Sequence, residues 1–131
     1  MAIWLADQGL VPSVVLSSSA NRAISTARIF CEHWNTSGLE AVVTESLYLA
    51  SPGAYLEELT GLTSDIETAM VVGHNPGLEY LVEVLTGMDE IMPTAAVAQI
   101  QLKTSQWSNI SDDLGQCELV GVFRPKEIFE A

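Results

Sequence analysis

Two residues of this sequence stand where an oxyanion could be held. Arg22 follows three residues after the run Ser17-Ser18-Ser19, and His74 lies in Gly73-His74-Asn75-Pro76-Gly77. An arginine fork matches two phosphate oxygens at once, a histidine can donate to another, and a helix N-terminus adds backbone N–H groups and the positive end of its dipole. Either residue alone would read as an ordinary surface arginine or a hydrogen-bonded loop histidine. Their contexts raise the reading, because each stands between an apolar run and the start of a helical pattern. Together they describe half of a phosphoryl pocket. His33, in Cys31-Glu32-His33, has no partner pair elsewhere in the chain and reads as a surface helix residue, so no metal or other cofactor is assigned.

Such a pocket cannot rest on a general basic field. Seventeen acidic residues face five basic ones, Arg22, Arg28, Lys103, Arg124 and Lys126, for a formal net charge of −12. Attraction to nucleic acid or to an anionic membrane surface is excluded on that balance, and any phosphate must be met by a few local donors. The mean hydropathy is +0.27, yet no apolar run approaches the ~18 residues of a membrane span, and the opening Met-Ala-Ile-Trp-Leu-Ala-Asp lacks the pattern of a secretory signal. A cytoplasmic protein is expected. Cys31 and Cys117 form no Cys-x-x-Cys pair and read as reduced, buried, small hydrophobes.

The elements that must position the two residues follow from periodicity. Apolar β-branched runs alternate with stretches of helical period, which indicates a single α/β domain over residues 1–131. Val14 to Ser17, Ala41 to Thr44 and Met70 to Gly73 read as strands, the first of them buried. Ala20 to about Trp34 reads as a helix whose apolar face is Ala23, Ala27, Phe30, Cys31 and Trp34, with the serine hydroxyls available to cap it. Ser51-Pro52 opens a helix through Tyr55, Leu56 and Leu59 that ends at Gly61. Leu78, Leu81, Val82 and Leu85 form another, stopped by Gly87. Val97 to Leu102 and Glu118 to Phe123 read as strands exposed on one side, joined by a loop around Asn109 to Gly115. If the Val14 and Met70 strands are parallel in one sheet, Arg22 and His74 share its carboxyl edge, where open α/β sheets bind ligands.

Ser17-Ser18-Ser19-Ala20-Asn21-Arg22-Ala23-Ile24-Ser25-Thr26-Ala27 resembles the histidine phosphatase pattern Ser-Ser-Pro-x-x-Arg-Ala-x-x-Thr-Ala, with Ser19 in place of the proline. Val71-Val72-Gly73-His74-Asn75-Pro76-Gly77 is similar to the Val-Gly-His-Asn-Pro-Gly segment of the SixA branch. Leu47 to Pro52, Met92 to Ala96 and Phe123 to Lys126 also look like segments of that branch, in the expected order. The resemblance implies a three-layer α/β/α sandwich, phosphoglycerate mutase-like. It also implies a phosphatase that acts on a phosphohistidine-containing signalling protein. In that family a histidine of an Arg-His-Gly motif attacks phosphorus and water hydrolyses the phosphohistidine enzyme. Arg22 would bind the phosphoryl group, and His74 would stabilise its charge in the transition state.

This sequence departs from the pattern in one place: it contains no Arg-His-Gly. By the resemblance its first strand is the family's second. The expectation is a fold whose first, central strand is missing, together with roughly 40 residues before Met1, and a chain that binds phosphate without turnover. That strand would lie between those of Met70 and Val97, so exposed sheet edges and association through them are expected. Glu45 is a conceivable general acid, but a solvent-facing residue at a strand end is the reading preferred, and no acid is assigned. The competing functions are a non-catalytic phosphate-binding or interaction module and a small-molecule phosphomonoesterase using the same Arg22 and His74. A serine hydrolase is disfavoured, since no Gly-x-Ser-x-Gly elbow occurs.

Overall fold

The computed structural model describes residues 1–34 and 39–129. In chain order the elements are α1 (Ala2–Asp7), β1 (Val14–Ser18), α2 (Asn21–Trp34), β2 (Ala41–Thr44), a 3₁₀ helix at Glu45–Leu47, α3 (Pro52–Thr60), β3 (Ala69–Val72), α4 (Gly77–Thr86), β4 (Val97–Gln101), a 3₁₀ helix at Trp107–Asp113, β5 (Glu118–Phe123) and α5 (Pro125–Phe129). They divide into two compact units, Met1–Ala50 with Thr63–His74 and Ser51–Leu62 with Asn75–Ala131.

The first unit is built on a parallel sheet of order β2-β1-β3. Val15, Leu16, Ser17 and Ser18 of β1 are all buried, as a central parallel strand requires. Helix α2 packs on this sheet and buries Ala23, Ala27, Phe30 and Trp34, the 4-3-4 spacing of one helical face. Cys31, expected on that face, is only half-buried, because it lies one position round the helix from Phe30. Helix α1 was not expected. Six residues are too few to show a period or to hold a helix alone, and tertiary contacts hold this one. Ala2 and Leu5 are buried, and Trp34 Nε1 donates to the Ala2 carbonyl at 3.0 Å. Its end is a Schellman motif: Gly9 takes φ +73°, its N–H donates to Ala6, and the Leu10 N–H donates to Leu5.

In the second unit, Tyr55, Leu56 and Leu59 of α3 are buried. This helix packs against α4 and against the 3₁₀ helix at Trp107–Asp113, which buries Ile110. That 3₁₀ helix replaces most of the loop expected around Asn109. Pro52 opens α3, but Ser51 makes no side-chain cap, and Gly61 closes it in a right-handed conformation. Gly87 ends α4 in the left-handed conformation at φ +74°. The last carbonyls of α4 are met from outside the helix: Gly115 N–H donates to Val84 and Cys117 N–H to Leu85, at 2.7 and 3.0 Å. Strands β4 and β5 pair antiparallel with an irregularity at Gln99/Ile100. β5 alternates over its first residues, but Val97 to Ile100 of β4 are all half-buried, so this strand is not exposed on one side as expected. β3 pairs only with β1 and β4 only with β5 among the described residues.

Candidate functional site

Parallel register decides where the chemistry can gather. Ser17 pairs with Val72 and Ser18 with Thr44, so the three strands of the first unit end at one carboxyl edge. Two residues beyond Val72 stands His74, and four residues beyond Ser18, in the first turn of α2, stands Arg22. Neither strand end reaches this edge by accident of length. The buried β1 must stop where its backbone turns into α2, and its own serines make that turn. The Ser18 hydroxyl accepts the Ala20 N–H at 3.1 Å, and the Ser17 hydroxyl donates to the Ser18 carbonyl at 2.9 Å. Ala20 in turn offers its carbonyl to Ile24 at 3.0 Å, the first helical bond. Two of the three serines are thereby committed to backbone, and Ser19 is the one left half-exposed.

Arg22 is exposed and has no hydrogen-bond or ion-pair partner among the described residues. His74 is half-buried, and its Nδ1 is fully buried without a hydrogen-bond partner among them. An unpaired buried ring nitrogen is costly, and it marks a group whose environment is not completed by its own fold. Chemically the pair offers a planar cationic fork and an imidazole at one sheet edge, a combination suited to an oxyanion.

The other candidates fall out. His33 is exposed in the last turn of α2. Glu45 is exposed at the start of the 3₁₀ helix after β2, in keeping with its reading as a solvent-facing residue. Cys31 and Cys117 are free thiols; burial pushes the Cys31 thiol above its ordinary range, and the charge of Glu40 adds to the shift.

Asn75, unassigned in the sequence, has a structural partner. Within the second unit its Nδ2 donates to the Met92 carbonyl, and the Glu79 carboxylate accepts the Met92 N–H at 2.7 Å. Arg124 donates to the Ile91 carbonyl through Nε and Nη2, at 3.1 and 2.9 Å, and pairs with Glu90 at 3.1 Å. These four side chains fix the segment between α4 and β4. Sequence spacing could not reveal them, since the partners lie 13 to 34 residues apart. An open recess of about 410 Å³ in this unit is lined by Thr86, Met88, Cys117 and Leu119 and by the Glu90–Arg124 pair. It includes neither Arg22 nor His74.

No family model matches the chain. An uncharacterised protein of Mycobacterium leprae is 28% identical over 137 residues, covering 94% of this chain and 78% of that protein. One from Mycobacterium tuberculosis is 29% identical over 136 residues, covering 94% and 80%. Among solved structures, the protein histidine phosphatase SixA complexed with tungstate superposes with a TM-score of 0.78 at 24% identity, over 97% of this chain and 78% of that one. A SixA structure from Agrobacterium tumefaciens gives 0.76 at 25% identity, over 95% and 75%.

Proposed function

This chain has the SixA-type histidine phosphatase fold, a phosphoglycerate mutase-like α/β architecture, and we propose that on it Arg22 and His74 hold the phosphoryl group of a phosphohistidine in a signalling protein. Arg22 grips two phosphoryl oxygens through its guanidinium, and His74 donates to an oxygen as negative charge builds there. The observation that carries the reading is the parallel register, which brings both residues to one carboxyl edge.

Hydrolysis by the family's route takes two displacements. A nucleophilic imidazole forms an N–P bond as the N–P bond to the substrate histidine breaks, and that histidine leaves with a proton. Water then forms an O–P bond as the enzyme's N–P bond breaks, releasing phosphate. His74 and His33 are the only histidines in this sequence. His33 lies eleven residues along α2 from Arg22, about 16 Å at 1.5 Å per residue, too far to attack a phosphorus that Arg22 holds. By the resemblance the nucleophile is the histidine of an Arg-His-Gly motif, which this sequence does not contain, so we propose that this chain binds without turnover. A non-catalytic phosphate-binding module is the second reading, favoured by the absence of that motif from the sequence. No helix among the described residues is long and apolar enough to cross a membrane. We propose a cytoplasmic setting, in which Cys31 and Cys117 would stay reduced.

The test is a titration of the isotopically labelled chain with inorganic phosphate, followed by NMR. The Arg22 side-chain N–H and the His74 ring resonances should shift together and saturate with one affinity. A phosphohistidine protein incubated with the chain should lose phosphate no faster than in buffer, and a fused strand ending in Arg-His-Gly should start hydrolysis. Shifts at neither residue would overturn the site. Turnover by the bare chain would overturn the placement of the nucleophile.

A further inference from the structure

The carboxyl edge of the first unit carries a third feature that phosphate binding does not use. Strand β2 ends level with Ser18, and the 3₁₀ helix that follows packs on the end of β1. Two residues emerge from it. Leu47 before them is 0% exposed and Ala50 after them is buried, yet Tyr48 between these anchors is 55% exposed and Leu49 is 67% exposed. The Tyr48 N–H closes the turn on the Glu45 carbonyl at 3.0 Å, so the pair is held out on a fixed base. Leu49 also takes φ +49°. A bulky residue in the left-handed region is strained, where glycine or asparagine would not be. The fold thus holds a leucine in an unfavourable backbone conformation and gives its side chain to water.

We infer that Tyr48 and Leu49 form the docking surface for the protein that carries the phosphohistidine, an inference that rests on the phosphatase reading above. Continuity argues for that occupant, because the pair leaves the same sheet edge as Arg22 and His74. Charge narrows it further. Glu45, three residues before Tyr48, is exposed, on a chain of net charge −12. That field repels an anionic membrane, and it attracts a surface with basic residues. The partner is a protein whose phosphohistidine is bordered by an apolar side chain and basic groups. The apolar side chain buries against Leu49 and Tyr48 while Arg22 takes the phosphoryl group.

The experiment uses two peptides with a hydrolysis-stable phosphohistidine analogue flanked by lysines, one with leucines and the other with serines at the adjoining positions. Binding is read by fluorescence anisotropy, with inorganic phosphate titrated separately. The leucine peptide should bind the natural chain about tenfold more tightly, the effect of burying one aliphatic side chain. The double variant Tyr48→Ser, Leu49→Ser should bring the two peptides within twofold and leave the phosphate affinity unchanged. Leu49→Gly relieves the backbone strain, so it should fold at least as stably as the natural chain and still lose most of the preference. Equal binding of the peptides by the natural chain, or a preference that survives both variants, overturns the docking surface. Self-association that the double variant abolishes would assign the surface to a second copy and overturn it too. If phosphate and both peptides fail to bind, the phosphatase reading falls first and takes this inference with it.

Discussion

Replacing His74 by phenylalanine should stabilise the protein while removing phosphate binding. The imidazole is half-buried, and its Nδ1 is shielded from solvent without a hydrogen-bond partner among the described residues. A buried polar atom left unpaired costs about 1–3 kcal/mol, all of which the substitution His74→Phe removes with a planar ring kept in place. Phenyl is larger than imidazole, and overpacking returns about 1 kcal/mol or more of strain in a closed site. His74 is partly open, so the strain falls at the low end and the net gain is about 1 kcal/mol. For a chain of this size that moves the melting midpoint up by about 3–5 °C. The urea midpoint should rise with an unchanged slope, which reports stability rather than a change in the surface exposed on unfolding. Phosphate affinity should fall at least tenfold in the same sample, through loss of a donor to the anion. A loss of 1 kcal/mol or more in the variant would refute the reasoning, because it would show that the ring nitrogen is satisfied in the fold and serves structure.

Arg22→Ala is expected to leave the urea midpoint almost unmoved, within about 0.5 kcal/mol, since the side chain is exposed and unpaired among the described residues. Its phosphate affinity should drop about 30-fold or more, as two charge-assisted hydrogen bonds are lost; an unchanged titration would remove Arg22 from the site. Gly87→Ala should cost about 1–2 kcal/mol, because the new methyl group meets the Gly115 carbonyl oxygen at 3.3 Å and the residue must keep φ +74°. Equal stability in chemical denaturation would contradict that. Glu40→Gln removes a charge that raises the Cys31 pKa, so the thiol should titrate lower, hold more thiolate at pH 8 and react faster with iodoacetamide; a slower reaction would reverse the assigned sign. With β3 and β4 each bonded to one strand only among the described residues, the chain should self-associate as its concentration rises, measured by light scattering. A monomer at every concentration would rule that out.

Much of this fold was legible because local pattern and tertiary role agree. The run Val14-Val15-Leu16 reads as a strand buried on both faces, and β1 is one; the spacing of Ala23, Ala27, Phe30 and Trp34 reads as a helix face, and α2 buries those residues. Gly87 read as a stop and is one, in the left-handed conformation. What stayed hidden depends on distant partners. Helix α1 exists through Trp34 and a Schellman turn, of which only Gly9 could have been noticed. Ser51-Pro52 read as the opening of a helix and is one, but the proline at the first helical position suffices to start α3 without a side-chain bond from Ser51. Asn75, Glu79 and Arg124 are ordinary polar residues in the sequence. Only the folded chain shows that they converge on the backbone of Ile91 and Met92. The exposure of Tyr48 and Leu49 was equally unreadable, because an apolar pair between strand and helix looks like core.

The choice of Arg22 as the phosphate ligand can also be argued by elimination. Five cationic side chains exist against seventeen carboxylates, so an arginine near a carboxylate will ordinarily be neutralised by it. Arg124 is: it pairs with Glu90 and Glu127 and donates two further hydrogen bonds to the Ile91 carbonyl. Lys103 reaches Gln116, and both it and Lys126 belong to the second unit, whereas the sheet that ends at His74 belongs to the first. Arg28 is on α2 but six residues further along, about 9 Å down the axis from Arg22 and away from the carboxyl edge. Among the described residues of the first unit, Arg22 is left as the one cation at the edge where β1, β2 and β3 end, and no carboxylate among them claims it. In a chain this acidic, local placement can substitute for a basic surface only if that one charge is kept free. An added carboxylate would fill the place the phosphoryl oxygens need, so Ser19→Glu should block phosphate binding while the fold is retained. Phosphate binding of full strength in that variant would show that the anion is held elsewhere.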